Sequence, residues 1–303
     1  MSRTTTRYSF LSLVLICTFA LTSCLDSTNS REPLGNIYER AEQVQDNESG
    51  ENVLSNFLEY LDQIDPDTSL AKKQGITAVI PIDSTFTGEI KSKLDTISTS
   101  DLNQVIRYHF IDEVIDIRRI DESKAVESSQ GDDLYFNIER GTQGSSVYVN
   151  GGRLIGQIRA DNGLIYVVDK VLFQDRYLDA TGLIGKRPKI SIFDDGINGT
   201  DLEEMLSDPN KEFTIFAPTN KAFENAGREE ISVDEAKSYI IPEKLISRNL
   251  NSQTYTTLNG EELSVEVDGT DITVNGSEVK TSDINGNNGV VHTIKTVLDD
   301  DSN

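Results

Sequence analysis

The chain has 303 residues, with 51 Asp and Glu against 28 Lys and Arg, a formal net charge of −23. A surface this acidic repels phosphate backbones and anionic headgroups, which argues against nucleic acid as a partner and against membrane contact through the protein surface itself. The only cysteines are Cys17 and Cys24 and the only histidines are His109 and His292, so disulfide frameworks, thiolate chemistry and histidine-rich metal sites have almost no raw material.

The chain starts with Arg3 and Arg7, then an apolar run, FLSLVLICTFAL, at 10–21. That run is too short to span a bilayer. Leu21-Thr22-Ser23-Cys24 comes next, and the whole arrangement resembles a bacterial lipoprotein signal with its lipobox. The expectation is a signal peptide at 1–23, lipid (palmitate among the chains) on Cys24, and a tether at 24–35. Buried acyl chains contribute about 0.8 kcal/mol per methylene, and more than one chain gives a stable anchor. Cys17 leaves with the signal, and losing Arg3 and Arg7 takes the net charge to −25. Leu25 after the cysteine points to the outer membrane of a two-membrane cell, with the face undetermined. Asp26 and Glu32 are the only acidic residues of the tether. The Asp-Ser-Thr strings at 26–28 and 83–85 resemble an O-glycosylation signal of Bacteroidetes.

Along the rest of the chain, Val53, Phe57, Leu61 and Ile64 share one face of a helix expected over 51–65. ITAVIPIDSTF (76–86) reads as a strand, with Asp83 placed to cap a helix directly after it. DLNQVIRYHF (101–110) reads as a helix turning extended. VYVNG (147–151) and NGLIYVVDKVL (162–172) are strands with turn residues at their ends. The segment QDRYLDATGLIGKRP (174–188) is a short linker. FTIFAPTNKAF (213–223) is again a strand, ending at Pro218, with Thr219 or Asn220 as a helix cap. SVDEAKSYII (232–241) is helical then extended. ELSVEVDGTDITVNGSEV (262–279) alternates and turns at Asp268-Gly269 and Asn275-Gly276. NGVVHTIKTVL (288–298) is the last strand.

These segments pair off in order. Residues 76–86 match 213–223 at an offset of 137, 107–113 match 238–244 at 131, 147–151 match 272–276 at 125, and 162–172 match 288–298 at 126. Four matches in one order mean a duplicated α+β domain dominated by short antiparallel strands. The boundaries are expected at 36–176 and 177–303. FTIFAPTNKAF, the tyrosine-containing segment and NGVVHTIKTVL together resemble the fasciclin-like domain. The resemblance implies two tandem domains, each a β-sandwich-like wedge with several helices, in a cell-surface adhesion protein with no common catalytic site. In animal members an Asp-Ile pair before the last strand and a Tyr-His pair are proposed to contact integrins. Asp283, Ile284, Tyr108 and His109 match those pairs here; copy one has Gln157-Ile158 and copy two has Tyr239-Ile240 instead.

His292 falls where copy one has Tyr166. Both are flat rings with a polar tip, which favours a core role over a general base or a metal ligand. Adjacent carboxylates, Asp132-Asp133 and Asp194-Asp195, are expected from composition and do not by themselves make a two-carboxylate cleft. The loops at 283–289 and 194–205 match a calcium loop only in part, with Asp283, Asn285 and Asn287 alternating in one and Gly199 in place in the other, but Ile294 and Met205 stand at the twelfth positions. No cofactor, metal or enzymatic activity is expected. The leading expectation is a lipid-anchored, non-enzymatic adhesion protein capturing matrix protein or glycan. The alternatives are an accessory lipoprotein of an outer-membrane glycan-uptake assembly with a protein partner there, and, last, a carboxylate-based hydrolase.

Overall fold

A computed structural model describes residues 33–298 apart from Asn47, Thr142 and Gln143. The segment expected to be a signal peptide, Cys24, and the expected tether up to residue 32 lie outside the described residues. Among those described, no helix is long and apolar enough to cross a membrane.

The first half contributes β1 (Ile76–Pro81), β2 (Phe110–Ile111), β3 (Ser123–Glu127), β4 (Asp133–Gly141), β5 (Gly144–Val149), β6 (Gly152–Ala160) and β7 (Gly163–Val168). The second contributes β8 (Phe213–Pro218), β9 (Ile240–Ile241), β10 (Gln253–Thr256), β11 (Glu262–Asp268), β12 (Asp271–Val274), β13 (Ser277–Asn285) and β14 (Gly289–Ile294). The spatial orders are β2-β1-β7-β6-β5-β4-β3 and β9-β8-β14-β13-β12-β11-β10, so the two sheets have one topology. Antiparallel pairs dominate as expected. Each domain also has one parallel pair, β1 with β7 and β8 with β14. A parallel neighbour needs a long crossover, and here almost the whole domain serves as that crossover.

The apolar runs of β1, β8 and β14 are buried along their full length. In domain 1 the alternation of side chains divides the residues of β1 and its parallel neighbour β7 between two cores. Ile76, Ala78, Ile80, Ile165 and Val167 pack under the helices with Phe57 and Leu61, while Val79, Tyr166 and Val168 face Leu134, Phe136 and Val149 inside the curled sheet. Strands covered on both faces read as continuous apolar segments for this reason.

The helix expected over 51–65 is Ser55–Ile64, with Phe57 and Leu61 buried. Its start is held by Asp83, whose carboxylate accepts from the backbone N–H groups of Ser55 and Asn56. Asp83 therefore caps a helix 28 residues upstream and not one directly after it. Asn220 does the matching work in domain 2: it accepts from Ile192 N–H and donates to Pro188 O. Thr219 is the cap of the next helix.

One asparagine locks the start of each parallel pair. Asn162 donates to the carbonyls of Ala71 and Lys73 and accepts from Ile37 N–H; Asn288 donates to those of Leu206 and Asp208 and accepts from Ala180 N–H. The glycine after Asn162 is required by contact, since a Cβ on Gly163 would lie 1.9 Å from the carbonyl oxygen of Ile76. The register corrects one match made from sequence. Thr77 pairs with Ile111 and Thr214 with Ile241, which sets that offset at 130, so Tyr239 corresponds to His109 and not to Tyr108.

Candidate functional site

Tyr108 and His109 are both 0% exposed. His109 comes directly after the helix Thr99–Tyr108, and its Nδ1–H donates to Val105 O at 2.8 Å while Nε2 accepts from Leu172 N–H at 3.0 Å. A carbonyl can only accept and an N–H can only donate, so the tautomer is fixed as neutral with the proton on Nδ1. Burial lowers its pKa to about 4 against the opposing bond to Val105. The Tyr108 hydroxyl donates to Asp133 O and accepts from Asn150 Nδ2.

His292 is the mirror case. Its Nε2–H donates to Leu245 O at 3.0 Å and its Nδ1 accepts from Asp283 N–H at 3.3 Å. Burial lowers its pKa too, with the Leu245 bond and the Asp283 charge opposing. Asp283 sits where β13 shifts register against β14, at φ +60. Its carboxylate accepts from the N–H and hydroxyl of Ser247. Ile284 is 8% exposed and packs in the domain-2 core. Of the four residues matched to the integrin-contacting pairs, Tyr108 and His109 therefore present no surface and Ile284 very little, and Asp283 alone is exposed.

The carboxylate pairs also separate. Asp194 and Asp195 are consecutive on the helix Ser191–Ile197, so they point about 100° apart. Asp194 is half-buried, and burial, Asp195 and Glu203 push its carboxyl up to about 6 against the pull of Lys170. Asp132 and Asp133 are both exposed. Among the described residues no group of three or more His, Cys, Asp or Glu is placed to hold a metal ion.

What sequence reasoning missed is the junction between the domains. Asp175, in the turn Asp175–Tyr177, forms ion pairs with Lys186 at 2.8 Å and with Arg187. The Lys186 side chain is 3% exposed and lies 4.9 Å from the Tyr108 ring centre; Arg187 lies over Tyr135 at 5.5 Å. Burial pushes the Lys186 ammonium down against the pull of Asp175. Burial would raise Asp175, but Arg187 and Lys186 overcome this and hold it below its usual range. Two linker cations are thus seated on two tyrosines of domain 1. Gly151, at φ +76, lets the domain-1 backbone meet Gly185; a Cβ there would stand 2.8 Å from the Gly185 carbonyl oxygen. The linker's string of Asp, Lys and Arg was visible in the sequence, but their aromatic seats were not.

Beside this junction runs a groove of about 890 Å³. Asn137, Glu139 and Tyr148 line it from domain 1, and Asp194, Asn198 and Lys280 from domain 2. Six cationic and six anionic side chains line it, so its charge is balanced on a molecule of net charge −23. Such a wall offers both donors and acceptors and suits a polar ligand better than a long polyion.

Comparison with known proteins agrees with this architecture. Residues 52–174 and 188–300 each match the Fasciclin domain, and the chain belongs to that family. Human periostin is 36% identical over 168 residues, 52% of this chain and 20% of periostin. Protein sll1483 of Synechocystis is 33% identical over 113 residues, 34% of this chain and 62% of that protein. The chain thus spans less than two thirds of the length of these relatives. The solved structure of a FAS1 domain pair from the insect cell adhesion molecule fasciclin I superposes with a TM-score of 0.54 at 16% identity, over 82% of this chain and 97% of that one. This likeness is one of fold: two tandem domains, each a seven-stranded sheet with several helices.

Proposed function

We propose that this is a non-enzymatic binding protein of the cell envelope, tethered to the outer membrane through lipid on Cys24, that captures an extracellular protein or glycan. The observation that carries this reading is the seam itself: two domains of an adhesion-type family clamped by Asp175, Lys186 and Arg187 beside a charge-balanced groove. A clamped pair loses little orientational freedom on binding, which favours affinity for a ligand that touches both halves. Both histidines are neutral, buried and committed to backbone groups, so neither is available as a general base.

Protease shaving and antibody labelling of intact cells, with a periplasmic control, test the location. Binding of the purified protein to immobilised matrix proteins and glycans tests the capture. Cleavage on intact cells together with saturable binding to one such surface is the expected result. Protection until the outer membrane is opened, with co-purification of a single membrane protein, would replace adhesion with an accessory role in an uptake assembly. Turnover of a glycan or ester substrate that is lost in Asp194→Asn would overturn the non-enzymatic reading.

A further inference from the structure

Among the described residues, Leu34 and Val114 are the only large apolar side chains left exposed, at 45% and 50%, and both line one cavity of about 470 Å³ on domain 1. Neither is free to turn inward. Gly35 is pinned beside Leu34: it donates to Asp161 Oδ2 and accepts from Asp161 N–H. Ile115 is pinned beside Val114: its N–H donates to Thr77 Oγ1 and its carbonyl accepts from the Tyr166 hydroxyl. Two apolar side chains are thus held toward solvent by the backbone bonds of their neighbours, which is unfavourable unless something covers them.

The fold does not require this exposure. The bonds that pin Ile115 are repeated at Leu245, which donates to Thr214 Oγ1 and accepts from His292. The residue before it is Lys244, whose ammonium donates to the carbonyls of Gly286 and Asn287. Likewise the carbonyl of Leu178 accepts from Asn287 N–H as that of Gly35 does from Asp161 N–H. The residue before Leu178 is Tyr177, whose ring meets Phe173 and whose hydroxyl donates to Asp101. Domain 2 fills both places with engaged side chains. Domain 1, which follows the expected tether, leaves them apolar and open.

The charges here also depart from the chain's average. Arg118, Arg119 and Arg159 stand exposed at this pole. Its acids are engaged: Asp116 with both Arg118 and Arg119, Asp161 with Gly35, and neighbouring Glu113 with Lys124. Three arginines against Asp116 and Asp161 leave an excess of one positive charge, on a molecule at −23. Leu34 is ten positions after Cys24. An extended chain spans at most about 3.6 Å per residue, so lipid on Cys24 holds this pole within about 36 Å of the bilayer. A tether that short gives a high effective concentration, at which two apolar side chains and a few charges suffice for contact.

We propose that this pole of domain 1 rests on an anionic lipid bilayer, with Leu34 and Val114 in the headgroup layer and Arg118, Arg119 and Arg159 on the phosphates around them. Arginine suits the place, since its stem lies along apolar surface while its fork reaches phosphate. The average acidity of the chain argues against membrane contact, and this pole is where that average fails. The domain pair then keeps one attitude to the membrane and does not swing about its tether. The inference rests on the reading that Cys24 carries lipid; it does not depend on what the larger groove holds.

The full chain as processed by its host, reconstituted on vesicles of phosphatidylethanolamine and phosphatidylglycerol, tests this. A fluorescent thiol label on Gln157→Cys, which lines the cavity, is compared with the same label on Glu229→Cys, exposed in domain 2. Spin-labelled lipid should quench the label at 157 about threefold more than the label at 229. The difference should vanish in the Leu34→Gln/Val114→Gln variant and shrink on phosphatidylcholine vesicles. Every substituted residue is exposed, so folding is not at issue. Equal quenching at the two positions, on a chain whose mass shows lipid on Cys24, overturns this inference and leaves the anchor standing. An unmodified Cys24 overturns both. A spectral shift at 157 that follows protein concentration and not spin-labelled lipid assigns the face to a second copy of the chain, and that too overturns the inference.

Discussion

His109 Nε2 and the Tyr239 hydroxyl occupy equivalent places in the two domains and accept from equivalent backbone groups, the N–H of Leu172 and that of Leu298, each at 3.0 Å. The exchange is reciprocal. Tyr166 donates its hydroxyl to Ile115 O at 2.6 Å, and His292 donates Nε2–H to the matching Leu245 O at 3.0 Å. Each domain therefore has one histidine and one tyrosine for the same two tasks, with the assignments swapped. A ring that reaches a fixed backbone group suffices at both places, which is a structural requirement and not a catalytic one.

The two imidazoles should show opposite tautomers. His109 carries its proton on Nδ1 and His292 on Nε2, because their partners leave no choice. Long-range ¹H–¹⁵N correlation spectra at pH 7.5 read this directly. Finding the same tautomer on both rings would contradict the assigned bonds.

His109 should make domain 1 acid-sensitive well before its carboxylates titrate. Its folded pKa is about 4 against an ordinary 6.5. The unfolded chain therefore binds the proton first, and stability is full above pH 6.5 and falls as pH drops toward 4. The shift corresponds to about 3 kcal/mol. Unfolding midpoints measured from pH 7.5 to 4.5 should flatten across this window in His109→Gln, relative to the native chain, whatever the absolute stability of the variant.

Asp175→Asn should loosen the two domains. It leaves the nearly buried Lys186 ammonium without its carboxylate, at a cost of about 2–3 kcal/mol after allowance for the partial exposure of Asp175. Small-angle scattering should show a broader interdomain distribution, and calorimetry should resolve two transitions where the native chain couples them. Acid should mimic the variant: the folded pKa of Asp175 is depressed, so the clamp is complete above the ordinary aspartate range and fails as pH falls through that lowered value.

Asn288→Ala should destabilise domain 2 by about 2–4 kcal/mol, since it strands the Leu206 and Asp208 carbonyls and the Ala180 N–H together. Asn162→Ala should do the same to domain 1. Domain-resolved hydrogen exchange distinguishes the two, and equal loss of protection in both domains from either variant would contradict the separation of the cores.

Asp194→Asn should stabilise the protein at neutral pH by about 1–2 kcal/mol, discounted for its partial exposure. Its folded pKa is raised to about 6 by burial, Asp195 and Glu203. The stability tied to the protonated form is therefore present below pH 4 and lost as pH rises through 6. The gain in the variant should be seen at pH 7.5 by urea unfolding and should shrink toward pH 4.

The sequence by itself determined the duplication, the α+β class and the shared order of the four matched segments. These are carried by local signals that each copy repeats: alternation in ELSVEVDGTDITVNGSEV, the asparagine-glycine turns, and apolar runs long enough to be covered on both faces. It also pointed both histidines inward, through the tyrosine standing in for His292 at 166. The tertiary structure decided what depends on partners distant in the chain. It placed Asp83 on a helix start 28 residues away, shifted the tyrosine match so that His109 corresponds to Tyr239, and set Lys186 against Tyr108. It also left Gln174 Oε1 without a donor. A side chain's chemistry is written in the sequence, but burial, charge and unmet hydrogen bonds are properties of the space that surrounds it, and only the packed chain defines that space.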